Sequence, residues 1–217
     1  MPFRSVPGQA SVADTTEGGK LFAPAAARNL APLLDVLQRH VPRNGQALEI
    51  ASGTGQHVVG FAEALPDLQW QPSDIDRARR ASIDAYVAEA GLRNVAPAAA
   101  LDATAPGWGG LIGPFQVILL ANLLHLISQA EAHCLLAEAA SALAPEGRMV
   151  IYGPFRRQGA LVSEGDRSFD AALTSHDPEI GYKDAGDVTA WAAARGLALV
   201  AEVEMPANNL SLVFERT

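Results

Sequence analysis

A single cysteine, Cys134, in 217 residues leaves no partner for an intramolecular disulfide and too few thiols for a cysteine-built zinc cage. That scarcity fits a reducing, cytoplasmic setting. Charge is sparse as well. Charged residues make up 18% of the chain against 49% hydrophobic, a composition that buries a core instead of staying disordered. The balance is acidic, with a formal net charge of −8. Such a field repels phosphate backbones, so no nucleic-acid partner is expected; the basic clusters Arg77, Arg79, Arg80 and Arg156, Arg157 read as solvated surface. Residues 1–20 lack the apolar stretch of a secretory signal and are interrupted by Pro2 and Pro7, so they are expected to form a flexible arm ahead of one domain over 21–217. The longest apolar stretch, 111–127, is broken by Pro114, Gln116, Asn122 and His125, and no membrane span is expected. His40, His57, His133 and His176 share no ligand spacing with a carboxylate pair, so no metal site is expected.

What the chain does contain is an alternation of short apolar runs with helical patterns, the pattern of an α/β domain with a mostly parallel sheet covered on both faces. A helix is predicted from Pro24 to His40, with proline where a missing N–H costs nothing. Strands are predicted at 47–51, 68–73, 95–101, 115–121 and 148–152, with helices from Gln56 to Leu65, from a cap at Asp76 to a stop at Gly91, and after Ser128. Ser128 and Glu131 have capping-box spacing, and Asp187 is expected to cap a further helix closed by Gly196. The last two strands, 197–204 and 210–216, are joined by so short a link that they must pair antiparallel.

The most informative stretch is Leu48-Glu49-Ile50-Ala51-Ser52-Gly53-Thr54-Gly55-Gln56-His57, where an apolar strand runs straight into a glycine-rich turn and a helix. Gly53 and Gly55 permit tight backbone geometry and close approach, and the free N–H groups at the start of the helix offer donors to a carboxylate. Asp74, nineteen residues after Gly55, ends the second strand, where an acidic side chain can accept from both ribose hydroxyls. Asp102, followed by Ala103, ends the third, where it can accept from an adenine amino group. Each aspartate alone suits an ordinary cap or turn; three strand ends together point to a nucleoside-type ligand. A dinucleotide fingerprint wants a third glycine where Val58 stands, which disfavours a nicotinamide-dependent oxidoreductase.

The Glu49-x-Ala51-x-Gly53-x-Gly55 pattern, with the terminal strand pair, resembles the S-adenosylmethionine-dependent class I methyltransferases. Six stretches sharpen this into a resemblance to a methyltransferase-like family known by its fold and inferred cofactor: 24–29 (PAAARN), 49–57 (EIASGTGQH), 70–76 (WQPSDID), 121–125 (ANLLH), 152–155 (YGPF) and 205–212 (MPANNLSL). The resemblance implies a doubly wound, Rossmann-like sheet of seven strands with an antiparallel last strand, and S-adenosylmethionine as cofactor with S-adenosylhomocysteine as product. It implies that Glu49, Ala51, Ser52, Gly53, Thr54, Gly55 and His57 shape the methionine end of the site. Asp74 would hold the ribose, Ile75 would pack on the base, Asp102 and Ala103 would frame adenine, and Asn122 would face the methionine or the acceptor. The chain departs from the pattern at Ala51, where glycine is usual, and at Gln116, where an aspartate is.

Methyl transfer from a sulfonium chiefly needs an in-line approach, so a dedicated base is optional. His125 is the first candidate base and Tyr152 the second, although a histidine in an apolar Leu-Leu-His-Leu-Ile stretch also suits a packed core. Arg28, Asn29, Phe155, Asn208 and Asn209 are expected to form an acceptor pocket; adjacent asparagines equally suit a turn with positive φ. The acidic surface favours a small-molecule acceptor, with a protein acceptor as the alternative. A non-catalytic cofactor-binding or partner-binding module is the alternative of another class.

Overall fold

The computed structural model describes residues 7–8, 13–15 and 19–217. The arm expected over 1–20 lies mostly outside the described residues; within it, β1 (Asp14–Thr15) pairs antiparallel with β2 (Leu21–Phe22). The helices are α1 (Pro24–His40), α2 (Gln56–Ala64), α3 (Arg77–Ala90), α4 (Gln129–Ala142), α5 (Glu164–His176) and α6 (Ala185–Ala193). The remaining strands are β3 (Gly45–Ile50), β4 (Leu68–Asp74), β5 (Ala99–Ala100), β6 (Phe115–Ala121), β7 (Leu143–Pro154), β8 (Leu197–Glu204) and β9 (Asn209–Arg216). They form one seven-stranded sheet in the order β5-β4-β3-β6-β7-β9-β8, parallel except where β9 runs antiparallel to both β7 and β8.

Side-chain alternation along the central strands explains why helices lie on both faces. Ala47, Val117, Leu119, Val150 and Tyr152 pack with Leu33, Leu37, Val58 and Phe61 of α1 and α2. Their neighbours Leu48, Ile50, Ile118, Leu120, Met149 and Ile151 face the opposite way, against Leu135, Leu136 and Ala139 of α4 and Val188 of α6. Because both faces are covered, the strands read as continuous apolar runs.

The sheet order reverses between β3 and β6, which leave β3 with its following helix on one side and β6 with its own on the other. A crevice opens at the strand ends of such a switch point. The chain leaves β3 through three left-handed residues, Ala51 (φ 52°), Gly53 (φ 63°) and Gly55 (φ 96°). At Gly55 the requirement is twofold, since a Cβ there would also come within 2.7 Å of the Ile83 Cα of α3. The close approach at this glycine is therefore to a helix of the fold itself. At Ala51 an L-residue occupies a conformation that glycine adopts without cost, which accounts for glycine being the usual choice.

Several capping expectations hold in detail. Asp76 accepts from the Ala78 and Arg79 N–H groups, Gly91 closes α3 in the left-handed region, and Ser128 with Glu131 forms a complete capping box. The structure corrects others. Asp184, not Asp187, caps α6 by accepting from the Gly186 N–H, and Asp187 lies in the first turn, where a carboxylate suits the helix dipole. The third strand is reduced to two residues with a single bridge from Val95 to Trp70, while the fifth extends over twelve. The whole of α5, capped by a reciprocal Ser163–Asp166 box, was not predicted.

The turn yields a pair of opposite expectations. Gly55→Ala adds both backbone strain and overlap with α3 and destabilises the fold by about 3 kcal/mol. Ala51→Gly relieves a left-handed alanine and stabilises it by about 1 kcal/mol. Urea unfolding of the two variants measures both; equal signs would contradict this reading of the turn.

Candidate functional site

The crevice at the β3–β6 switch point is a cleft of about 660 Å³, within the range of small-ligand sites. Its floor is the tip of β3 and the following turn, with Glu49, Ala51, Ser52, Gly53 and Thr54 lining it. The end of β6 contributes Ala121 and Asn122, and the first turns of α1 contribute residues 23–26, Arg28 and Asn29. His125 and Leu126 on a short 3-10 turn, Phe169 of α5, and Tyr182, Ala207 and Asn209 complete the far wall.

Glu49 governs the electrostatics. Strand alternation places it on the α1/α2 face with Ala47, at a depth where it is 1% exposed. Its Oε2 has no hydrogen-bond partner. Burial pushes its carboxyl up to about 8, with the Asp74 charge adding to the rise and a Ser52 hydrogen bond opposing it. A buried carboxyl with a free oxygen at the floor of an open cleft is suited to a cationic or hydrogen-bond-donating ligand, since an unmet buried acceptor is costly.

The turn around it is held by hydroxyls. The Ser73 Oγ donates to the Glu49 carbonyl at 2.8 Å, the Ser52 N–H donates to the Ser73 carbonyl at 2.8 Å, and the Ser82 Oγ donates to the Thr54 carbonyl at 2.7 Å. Asp74 braces the same turn: its Oδ2 accepts from the Gly53 N–H at 3.0 Å and its Oδ1 from the Asp76 N–H at 2.9 Å. Burial raises its pKa, against those amides and the Arg79 cation. His57 donates Nε2–H to the Ala26 carbonyl at 3.0 Å and stacks on Phe61, so α1 is pinned over the cleft. Burial pulls the His57 imidazole down to about 4 and keeps it neutral.

Of the residues expected around a methionine-like group, Glu49, Ala51, Ser52, Gly53, Thr54, His57 and Asn122 line the cleft, and Gly55 instead packs on α3. Asn122 adopts a left-handed conformation (φ 57°), which asparagine tolerates well, and its N–H donates to the Tyr152 carbonyl at 2.8 Å. The expected base-binding residues lie outside the cleft. Ile75 is 39% exposed beyond β4, Asp102 accepts from the Thr104 N–H in a local turn, and the buried Ala103 accepts at its carbonyl from the Trp108 ring N–H.

Of the residues expected to form an acceptor pocket, Arg28, Asn29 and Asn209 line the cleft and two do not. Phe155 is 2% exposed within the α4/α6 core, because the two-residue alternation that turns Pro154 toward the cleft turns Phe155 away. Asn208 takes the positive φ that a turn requires (60°) and donates from its amide to Asp166. Among the candidate bases, His125 reaches the cleft and Tyr152 does not. Tyr152 is held behind the wall, accepting from the Asn209 Nδ2–H at 2.9 Å, and burial pushes its phenol up to about 12 despite that bond and the Arg28 cation. Burial, reinforced by Lys183, pulls His125 down to about 3.

Phe169, Tyr182 and Arg79 were not anticipated as lining residues. Arg79 follows from Asp76 once the cap is known, since three residues into α3 lies above the turn. Among the described residues no group of three or more metal-ligating side chains converges, and no helix is long and apolar enough to cross a membrane.

A family model spans nearly all of this architecture, from residue 20 to residue 216. The chain belongs to the family described as Protein of unknown function (DUF938). Solved structures share the fold of this DUF938 chain. An O-methyltransferase family protein from Burkholderia thailandensis is similar with a TM-score of 0.76 at 17% identity, over 89% of this chain and 57% of that one. An O-methyltransferase family 2 protein from Planctomyces limnophilus in complex with apigenin is similar with a TM-score of 0.73 at 22% identity, over 89% and 59%. A methyltransferase in calicheamicin biosynthesis in its SAH-bound form gives 0.69 at 17%, over 89% and 54%. The chain thus spans little more than half the length of these proteins. The likeness establishes the doubly wound, Rossmann-like class I methyltransferase fold, with seven strands and an antiparallel last strand.

The Glu49 carboxyl makes stability depend on pH in a definite direction. Between its ordinary value of 4.5 and about 8 it is protonated in the fold and ionised in the unfolded chain, so stability falls as pH rises through that window. Glu49→Gln cannot ionise; it flattens much of this slope and is more stable than wild type at the alkaline end, by an amount on the order of a few kcal/mol. Urea unfolding at a series of pH values measures the slope, and an unchanged slope in the variant would show that Glu49 is ionised in the fold at neutral pH.

Proposed function

We propose that this DUF938 protein binds S-adenosylmethionine at the β3–α2 turn and transfers its methyl group to a small-molecule acceptor, leaving S-adenosylhomocysteine. The observation that carries the proposal is the partnerless Oε2 of the buried Glu49 beside a left-handed glycine turn at the sheet's switch point. An amino-acid ammonium supplies what that oxygen lacks. The fold shared with solved methyltransferases supports the same choice, as does Val58, fully buried where a dinucleotide site wants its third glycine.

Under this reading Glu49 holds the ammonium and the 51–54 turn wraps the methionine end. Each oxygen of Asp74 already accepts one backbone N–H, which leaves lone pairs on both for the ribose hydroxyls. Ile75, Asp102 and Ala103 frame the adenine outside the main cleft. Asn122 faces the reacting end from β6. When bound, this cofactor supplies an electrophilic methyl on a sulfonium, which the acceptor's lone pair takes as the carbon–sulfur bond breaks.

The protein's own part is positioning and exclusion of water, with α1 pinned across the cleft by His57. His125 is neutral over the physiological range and presents an imidazole nitrogen that can accept a hydrogen bond from the acceptor. Its low basicity makes it an orienting group, with the proton passing on to water. Tyr152, protonated and bonded to Asn209, positions the acceptor side and takes no proton. The single thiol agrees with a cytoplasmic enzyme.

Calorimetry with S-adenosylmethionine and S-adenosylhomocysteine on the wild type and on Asp74→Ala tests the site. We expect micromolar affinity for both compounds and a loss of about tenfold in the variant, the cost of one well-placed charged acceptor. Failure of the folded wild type to bind either compound would remove the methyltransferase reading. Binding without turnover on any acceptor would favour a non-catalytic cofactor-binding module.

A further inference from the structure

The acceptor half of the cleft has a chemistry of its own. Three rings meet there edge to face: His125 and Phe169 with centroids 5.7 Å apart, His125 and Tyr182 at 6.2 Å, and Phe169 and Tyr182 at 6.1 Å, with interplanar angles of 60° to 71°. All three line the cleft. Such a cluster is commonly no more than satellite core, and Tyr182 does pack on Leu173 and Ile180. What distinguishes this one is the way it is fixed.

Two buried carboxylates one turn apart on α5, Asp166 and Asp170, clamp the segments that carry the rings. Asp166 accepts from the Tyr182 hydroxyl and the Asn208 amide, both at 3.3 Å, besides closing the α5 cap. Asp170 accepts from the Tyr182 N–H at 2.7 Å and pairs with Arg156 at 2.7 Å. Phe169 stands between them in sequence and turns to the cleft. The helix is thereby locked to β7's exit, to the loop before α6 and to the link before β9, and its aromatic side is presented rigidly. Preorganisation of that kind serves recognition, because a rigid flat wall loses little entropy on binding a flat partner.

Charge is the second observation. The formally charged lining residues are Arg28, Glu49 and Arg79. Glu49 and Arg79 belong to the turn side, since a Cβ on Gly53 would lie 3.7 Å from the Arg79 guanidinium. Arg28 belongs to the other side, where its cation acts on the Tyr152 phenol that is bonded to Asn209. It forms no ion pair among the described residues. Asn29 and Asn209 beside it add neutral donors, and no carboxylate among the described residues lines this half. A cleft that combines an aromatic wall with a guanidinium lacking an ion pair among the described residues suits a ligand that is flat at one end and negative at the other.

Resting on the methyltransferase reading above, we propose that the acceptor is a small aromatic compound bearing an anionic group, its ring against His125, Phe169 and Tyr182 and its anion at Arg28. Arg28 and Phe169 are then specificity-determining residues. The protein saturated with S-adenosylhomocysteine is titrated calorimetrically with benzoate, salicylate and naphthoate, each against its neutral amide, and with cyclohexanecarboxylate. The aromatic anions are expected to bind about tenfold more tightly than the amides and than the alicyclic acid, the scale of one charge-assisted contact and one ring contact. Arg28→Gln abolishes the preference for anion over amide. Phe169→Ala weakens anion and amide together. Titrating each variant with S-adenosylhomocysteine separates loss of the acceptor site from general loss of the cleft. Equal binding of anion and amide, equal binding of the alicyclic acid, or no binding of any aromatic anion by the cofactor-loaded protein each overturns this inference and leaves the cofactor reading standing. No uptake of S-adenosylhomocysteine by the wild type overturns both.

Discussion

The chain has to leave β3 between two flanking strands and enter α2 while α3 crosses within contact of the turn, and the rest of the site depends on how that is done. Left-handed residues at 51, 53 and 55 make the reversal short enough, and the absence of a side chain at Gly55 lets the Ile83 backbone come close. The turn is tied to β4 through Ser52 and Ser73 and to α3 through Ser82. The Ser52, Gly53 and Gly55 N–H groups are bonded within the fold, and the Glu49 Oε2 beside them is left without a partner. The side chain that the fold leaves unsatisfied thus stands at the point where two parallel half-sheets diverge.

That arrangement carries a cost that the rest of the molecule offsets. A deeply buried carboxyl, a left-handed alanine and a left-handed asparagine all sit within the strand ends that line the cleft. Each is unfavourable in isolation. They are held by the β3–β6–β7 centre of the sheet, whose residues from Val117 to Leu120 and from Met149 to Ile151 are fully buried on both faces. Strain concentrated beside a cleft and supported by a well-packed sheet is the distribution expected where binding, and not stability, decides the local residues.

Most of the fold was legible because it rests on local signals. The limits of α1 and β6 follow from Pro24 and from an apolar run interrupted within the strand only at Gln116, and α3 follows from Asp76 and Gly91. The β3 turn was legible for the same reason: its glycines carry a backbone requirement that any sequence must display. What escaped was α5. Its cap uses aspartate at the position where glutamate or glutamine is the usual signal, and its buried face is built from Asp166 and Asp170, so polarity masks the helical period. Phe155 failed differently. It lies one residue past Pro154, and which of two adjacent residues faces a cleft is set by strand register, which the spacing of motifs does not reveal.

The two sides of the cleft differ in how the sequence encodes them. The β3 turn is continuous in the chain and built from backbone geometry, so its shape is nearly fixed once the fold is. The opposite side is assembled from α1, the 3-10 turn after β6, α5, the loop at Tyr182 and the link at Asn209, none of which contains the others' signals. Its side chains can change one at a time without disturbing the sheet. The buried ties from Asp166 and Asp170 are what turn those separate pieces into one wall, so they, more than the aromatic residues they carry, set how rigid that side of the cleft is.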